Sequence, residues 1–282
     1  MKVLVTGATG TVGAELVKNL SARGVAVRAA VHSAAKAEKV RGPNVETVEM
    51  DLARPESVDA AFKGVDKAFL LTPGAQNMVE LGQRMVDAAK KGGVKHIVRL
   101  SGFGADVEPG IQFGQWHRAV ERHIEASGIA YTILRPNNFM QNFIVNYPAA
   151  GGVYYLPLGD GKISYIDVRD IAAVAATVLT ATGHEGKAYT LTGGEAISVS
   201  EVAQAISAAT GKTFSYVNVP EEAARNAMKE HHVPDWMASA LMELHAIGKA
   251  GYAAHISPDV EKITGGAPTL FSRFAKDNAG AF

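Results

Sequence analysis

A short apolar run that breaks into spaced glycines and passes straight into a helix admits few folds, and this chain carries one in its first twenty residues. Val3, Leu4 and Val5 are closed by Thr6, glycines follow at positions 7, 10 and 13, and a helical pattern runs over 14–20. The reading is strand, tight turn, helix. In such a unit the first glycine permits the turn, the second lets the backbone approach a pyrophosphate, and the third lets the helix pack close to the strand. The phosphates then rest on the helix N-terminus, where free N–H groups and the positive end of the helix dipole favour negative charge. The spacing is GxxGxxG rather than the commoner GxGxxG, but its position between a buried-type strand and a helix is the context such a site requires.

Apolar runs and helical patterns alternate onward from that unit. Strands are predicted over 2–6, 25–31, 45–50, 67–71, 96–100 and 131–134, and helices over 14–22, briefly after Ser33, and over 55–62, 76–91 and 115–126. Six βα steps predict an α/β fold, a Rossmann-type doubly wound parallel sheet with its ligand crevice at the carboxyl ends of the strands. After Tyr147 the rhythm is broken by Pro148, Gly151, Gly152, Pro157, Gly159 and Gly161. The expected division is therefore a dinucleotide-binding domain over 1–150, with 163–192 returning to it as strand 163–166, helix 167–180 and strand 187–191. A smaller, mostly helical C-terminal lobe over 151–282 is expected to bind the substrate. Its predicted helices, 198–209, 220–230, 234–248 and 269–276, carry Met228, Trp236, Met237 and Met242, and Tyr252 follows. Such residues at helical spacing read as packing, or as the wall of a pocket.

Composition narrows the chemistry. Lys+Arg and Asp+Glu both number 28 among 282 residues, with no long run of one sign, so neither nucleic acid nor an anionic membrane is an expected partner. The absence of cysteine removes disulfides, thiolate nucleophiles and Cys-based metal sites. No HExxH or His-carboxylate cluster points to a metal, and no GxSxG elbow to a Ser hydrolase. With no charged-then-apolar leader and no bilayer-length apolar stretch, a cytoplasmic protein is expected.

The strand ends supply the remaining candidates. The residue closing the second strand, about 20 positions past the glycines, meets the adenosine ribose. Here it is His32, followed by Ser33 and, one turn on, Lys36. A carboxylate there would repel a 2′-phosphate, and its absence favours NADPH, with NADH as the alternative. Asp51 closes the third strand, where it accepts from adenine or caps a turn. Thr72-Pro73-Gly74 closes the fourth, and Ser101-Gly102 the fifth. On the next helix His117 and Glu121 are four apart and able to pair, while Arg118 and Arg122 are expected in solvent. His117 is either a cofactor contact or proton donor, or a surface histidine held by Glu121. Arg135-Pro136 then leads to Asn137 and Asn138, whose amides lie at cofactor depth or cap a turn. The expected cofactor-binding set is Gly7, Thr9, Gly10, Thr11, Val12, Gly13, His32, Ser33, Lys36, Asp51, Leu52, Thr72, Pro73, Ser101, Gly102, His117, Pro136, Asn137, Asn138 and Phe139.

With TGATGTVG at the start, SG after the fifth strand, a His-x-x-x-Glu helix and YTILRPNNFMQN beyond it, the chain resembles the NmrA-like branch of the atypical short-chain dehydrogenase/reductases. Ser164-Tyr-Ile-Asp-Val-Arg-Asp-Ile171 and the stretch from Gly183 to Tyr189 extend the likeness over nearly the full length. Within the branch it is most similar to NAD(P)H-dependent quinone oxidoreductases, triphenylmethane-dye reductases and flavin-free azoreductases. The resemblance implies hydride transfer to a small electron-poor aromatic acceptor without flavin or metal; a homodimer is compatible with it. The chain departs from the wider family, whose Tyr-x-x-x-Lys supplies an acid and a ribose-holding lysine. Here Phe113 and His117 stand at that spacing, so a reaction that needs no strong acid is expected. The rival implication of the same resemblance is a non-catalytic nucleotide sensor that regulates a protein partner. Reductase is preferred because the second lobe, with Trp236 and Tyr154-Tyr155, offers material for an aromatic pocket. A sugar-nucleotide epimerase ranks below both, since it needs the tyrosine.

Overall fold

The computed structural model describes residues 1–282, the side chain of Ala34 apart. In chain order the elements are β1 (Lys2–Val5), α1 (Thr11–Ala22), β2 (Ala26–Val31), a 3₁₀ segment (Ala34–Val40), β3 (Val45–Glu49), α2 (Pro55–Phe62), β4 (Lys67–Leu70) and α3 (Met78–Lys91). Then follow β5 (His96–Leu100), α4 (Gln112–Ala126), β6 (Ala130–Pro136), α5 (Asn142–Val145), β7 (Val153–Leu156), α6 (Val168–Thr180) and β8 (Lys187–Leu191). The remainder is α7 (Val199–Thr210), β9 (Ser215–Asn218), α8 (Glu221–Glu230), α9 (Asp235–Lys249), α10 (Asp259–Thr264), α11 (Phe271–Asp277) and a closing 3₁₀ turn. Two compact units result: residues 1–110, 114–136 and 168–190 form the first, and 111–113, 137–167 and 191–282 the second.

The first unit is built on a seven-stranded sheet in the order β3-β2-β1-β4-β5-β6-β8. The β3-β2, β2-β1, β1-β4, β4-β5 and β5-β6 pairs are parallel. The inner strands read as near-continuous apolar runs because helices cover both faces, whereas the edge strands β3 (VETVE) and β8 (KAYTL) are polar and largely exposed. On one face α1 packs with α6; on the other, α2, α3 and α4 close over Leu4, Phe62, Met85, Ile97, Val120 and Ile124. Strand order reverses between β1 and β4, the switch point where ligands bind in open α/β sheets. The buried Thr6 hydroxyl secures that point: its oxygen accepts from the Leu71 N–H at 2.8 Å and lies 3.1 Å from the Phe69 carbonyl.

The second unit has its own core, where Phe143, Tyr154, Tyr165 and Phe271 meet edge-on with Val199, Val202 and Ile206. Residues 137–150, expected with the first domain, pack here. The buried Asn137 amide donates to Ser164 Oγ and to the Ala253 carbonyl, both at 2.8 Å. The predicted strand over 163–166 is absent: its backbone groups go to different partners, with an isolated bridge from Ile163 to Ile197, a bond from Ser164 N to the Ala253 carbonyl, and a bridge from Ile166 to Phe139. Instead, β7 and β9 form a two-stranded parallel sheet that the chain's glycine and proline spacing hid. Among the described residues no helix is long and apolar enough to cross a membrane, and no group of three His, Cys, Asp or Glu side chains is placed to hold a metal ion.

Candidate functional site

At the switch point the backbone, rather than side chains, defines the geometry. Gly7 has φ +62°, the left-handed region that favours glycine, and its carbonyl accepts from Gly10 N at 3.0 Å. A Cβ on Gly13 would stand 2.1 Å from that same carbonyl oxygen, so α1 approaches the turn as closely as only glycine allows. No side chain caps α1 and no acidic residue lies in its first turn. Gly10 and Thr11 are exposed while Val12 and Gly13 are buried. A helix N-terminus with uncapped N–H groups at the end of a strand suits an anion, and the cradle fits the pyrophosphate of a dinucleotide.

The outer strand ends are polar and uncluttered. His32 and Lys36 are exposed, and Ser33 precedes the 3₁₀ segment, its carbonyl accepting from Lys36 N at 3.0 Å. Asp51 takes the turn role: Oδ1 accepts from Ala53 N at 2.9 Å and Oδ2 from Arg54 Nε at 3.2 Å. Those bonds, the backbone one foremost, hold its carboxyl below the usual range, against a smaller opposing effect of burial. Leu52 follows, its carbonyl accepting from Arg84 at 2.6 Å.

The inner strand ends carry a group outside the expected site set. Arg99, in the middle of the apolar strand β5, is fully buried. It donates to the Leu70 carbonyl at 3.1 Å and to Thr72 Oγ1 at 2.7 Å, and lies 3.5 Å from His117 Nδ1. Burial pulls Arg99 down to about 10, with Glu121 opposing. His117 is pushed down to about 3, first by burial and then by the Arg99 charge, with Glu121 again opposing. The ring is therefore a neutral imidazole, and an Arg99 N–H aimed at Nδ1 leaves Nε2 as the protonated nitrogen. Its edge lies against Gly102, where a Cβ would come within 3.0 Å of Cδ2.

The expected pairing of His117 with Glu121 does not form. Glu121 turns instead to β6, accepting from Arg135 Nε at 3.0 Å and Nη2 at 2.8 Å, from Arg118 at 3.1 Å and from the Ser101 hydroxyl at 2.6 Å. Burial favours protonating Glu121, but the bonds from Arg135 and Ser101 outweigh it and hold the group below the usual carboxylate range. Arg118, expected in solvent, is bound by Glu121 and Glu125 because α4 brings both carboxylates onto its side. Arg122 remains largely exposed in an ion pair with Glu108.

Of the predicted site residues, the first unit thus brings together Gly7, Gly10 and Gly13 at one strand end and Thr72, Gly102 and His117 around Arg99. Ser101 is committed to Glu121. Pro136 closes β6, its carbonyl accepting from Phe103 N at 2.9 Å. In the second unit the Asn137 amide, expected at cofactor depth, is consumed by Ser164 and Ala253, and Phe139 bridges to Ile166. The expected Tyr154-Tyr155 wall does not exist: adjacent residues of a strand face opposite ways, leaving Tyr154 in the core and Tyr155 53% exposed.

Known proteins resemble this chain over nearly its whole length. The NAD(P)H azoreductase of Xenophilus azovorans is 41% identical over 282 residues, covering 99% of both chains. The crystal structure of the NADPH-dependent quinone oxidoreductase of Escherichia coli complexed with NADPH superposes with a TM-score of 0.87 at 29% identity, covering 98% of this chain and 99% of that one. The triphenylmethane reductase of Citrobacter sp., complexed with NADP(H), gives 0.86 at 28% identity over 98% and 99%. The NmrA-like family model matches residues 1–265, and the chain belongs to the NmrA-like family.

Proposed function

We propose that this chain is a cytoplasmic NAD(P)H-dependent reductase that passes hydride directly to a quinone, azo-dye or triphenylmethane-dye acceptor, with no flavin or metal between them. The observation that carries the reading is the glycine turn, with Gly13 pressed on the Gly7 carbonyl beneath an uncapped helix, in a chain 41% identical to an azoreductase from end to end. A nicotinamide cofactor, when bound, supplies the hydride.

The chain's own residues do the rest. The N-terminal turn of α1, from Gly10 through Gly13, holds the pyrophosphate, and His32, Ser33 and Lys36 offer no carboxylate to repel a 2′-phosphate, which favours NADPH over NADH. Thr72 and Pro73 line the far ribose. His117 presents a fixed N–H donor from Nε2 rather than an exchangeable proton, since burial and Arg99 keep it neutral. With Phe113 where an acid would stand, the protein contributes proximity and orientation, worth about 7 to 11 kcal/mol in favourable systems. An electron-poor acceptor then takes its proton from water.

Purified, flavin-free protein given NADPH or NADH with a panel of quinones, azo dyes and a triphenylmethane dye tests this directly. Oxidation of nicotinamide with any of them is the expected result, faster with NADPH. Tight cofactor binding with nothing consumed across the panel would return the sensor reading. That reading is not favoured, because the relatives named above are reductases.

A further inference from the structure

Arg99, next to last in β5, is fully buried, yet no carboxylate bonds it. A cation in such a place is costly unless its N–H groups are all put to use. Nη1 donates to the carbonyl of Leu70, the last residue of β4, at 3.1 Å. Nη2 carries two more N–H groups and has two neighbours, Thr72 Oγ1 at 2.7 Å and His117 Nδ1 at 3.5 Å. All four residues belong to the first unit, around the carboxyl ends of β4 and β5, where ligands bind in open α/β sheets.

The effect of Arg99 on those two neighbours follows from what each can donate and accept. A guanidinium only donates, and burial brings this one down no further than about 10, so it keeps its charge. A hydroxyl that accepts from it has one proton left, to give elsewhere. A neutral imidazole that accepts at Nδ1 carries its proton on Nε2. Thr72 and His117 are thereby both made donors to whatever lies beyond them. Among the described residues neither proton finds a protein acceptor, and neither Thr72 Oγ1 nor His117 Nε2 is sealed from solvent as Arg99 Nε is. Packing keeps both groups in place. The Thr72 methyl lies toward α3, where a Cβ on Gly82 would stand 3.4 Å from it. A Cβ on Gly102 would stand 3.3 Å from His117 Nε2, so the missing side chain leaves that N–H approachable.

We infer that Arg99 is a positioning residue for the cofactor: it fixes Thr72 and His117 as a pair of donors that receive the oxygen lone pairs of the nicotinamide ribose. It rests on the reductase reading above and adds to it a residue that touches neither cofactor nor acceptor. Being fully buried, the guanidinium acts only through the two groups it orients.

The test uses the full chain as wild type, Arg99→Met, Thr72→Val and Gly102→Ala. The His117 tautomer and titration are read from ring-nitrogen shifts of histidine-labelled protein without ligand. Kd is measured for NADPH and for 2′,5′-ADP, which has the adenosine half but no nicotinamide ribose. In wild type the proton is expected on Nε2, with no titration between about pH 5 and 8; in Arg99→Met the tautomers mix and the titration moves up toward about 6.5. Arg99→Met is expected to weaken NADPH about tenfold, Thr72→Val and Gly102→Ala about fivefold each, while 2′,5′-ADP stays within about twofold in all three. Added to Thr72→Val/His117→Ala, Arg99→Met is expected to change NADPH affinity by less than about twofold, because the groups it acts through are gone. A wild-type ring protonated on Nδ1, or an equal loss of NADPH and 2′,5′-ADP in Arg99→Met, overturns the positioning role. Thr72→Val and Gly102→Ala both at wild-type NADPH affinity overturn it even if Arg99→Met does not fold. The expected tautomer and losses with no NADPH oxidation by any acceptor uphold it and overturn the reductase reading alone.

Discussion

Glu121 and Arg99 are both buried charges at the end of the sheet, and they are treated in opposite ways. Glu121, with a fully buried side chain, receives four hydrogen bonds from Ser101, Arg118 and Arg135 and answers two guanidinium charges. Arg99, equally buried, donates to the neutral oxygens of Leu70 and Thr72 and to His117, and its Nε has no partner among the described residues. A saturated ion cluster ties β5, β6 and α4 into one scaffold. An under-satisfied cation beside a neutral histidine is instead the arrangement found where polar groups await a ligand. The comparison separates what holds the strand ends from what faces the chemistry.

Four experiments break or sharpen it. Glu121→Gln removes the carboxylate that joins Arg135, Arg118 and Ser101, leaving Asp106 and Glu125 as the remaining partners of the two guanidiniums, and is expected to cost about 3 kcal/mol in urea unfolding, the loss of charge-assisted hydrogen bonds at a buried site. A loss under about 1 kcal/mol would show the cluster to be worth no more than a surface pair.

Acid comes next. His96, His117 and His245 are all pushed down, to about 4, 3 and 4, chiefly by burial, so the unfolded chain binds protons near pH 6.5 that the folded chain refuses. Stability therefore falls as pH drops below about 6.5, by at most about 4 kcal/mol per pH unit if all three contribute. Glu121 moves the other way: its depressed pKa stabilises the fold above its ordinary value of 4.5, and that contribution is lost only below it. Urea midpoints across pH 4 to 8 should show the histidine limb first and the carboxylate limb after it; a flat profile down to pH 5 would contradict the neutral histidines.

Arg99→Met should behave unlike Glu121→Gln. It removes a buried cation that has no bonded carboxylate, so unfolding stability changes little, while His117 and Thr72 lose their common donor and NADPH affinity falls by about tenfold, or ~1.4 kcal/mol. If stability collapsed instead, Arg99 would belong with the scaffold. The smallest effect is expected from His117→Ala. As a donor only, it lowers kcat/KM by less than about tenfold, the worth of one hydrogen bond, whereas a proton-donating acid would cost about 10²–10⁴. A pH-rate profile without a titration near 6.5 would agree with a ring that stays neutral.

Much of this was legible along the chain. The six leading strands fall within a residue or two of where apolar runs end in turn residues, because a sheet covered on both faces needs continuous hydrophobic strands. The glycine turn was readable because the left-handed φ of Gly7 favours glycine and the close approach of Gly13 to the Gly7 carbonyl admits no Cβ. The arginine in His96-Ile-Val-Arg-Leu100 is itself a signal in the sequence, since a charge within a buried strand demands a partner or a purpose. The short β7-β9 sheet was not readable: four-residue strands between glycines carry no period long enough to count.

Local order therefore belonged to the chain itself: which segments are strands, where the phosphate-binding turn lies, and what chemistry the absence of cysteine and of Tyr-x-x-x-Lys removes. Each follows from neighbours in sequence, through backbone sterics, period and side-chain inventory. Partnership was decided only in three dimensions. Glu121 took Arg135 and Ser101 rather than His117, Asn137 spent its amide on Ser164 and Ala253, and Thr72 and His117, far apart in the chain, came to share one nitrogen of Arg99. Such choices depend on desolvation, since a buried charge or donor settles on whichever partner packing brings within reach, and spacing along the chain does not record that competition.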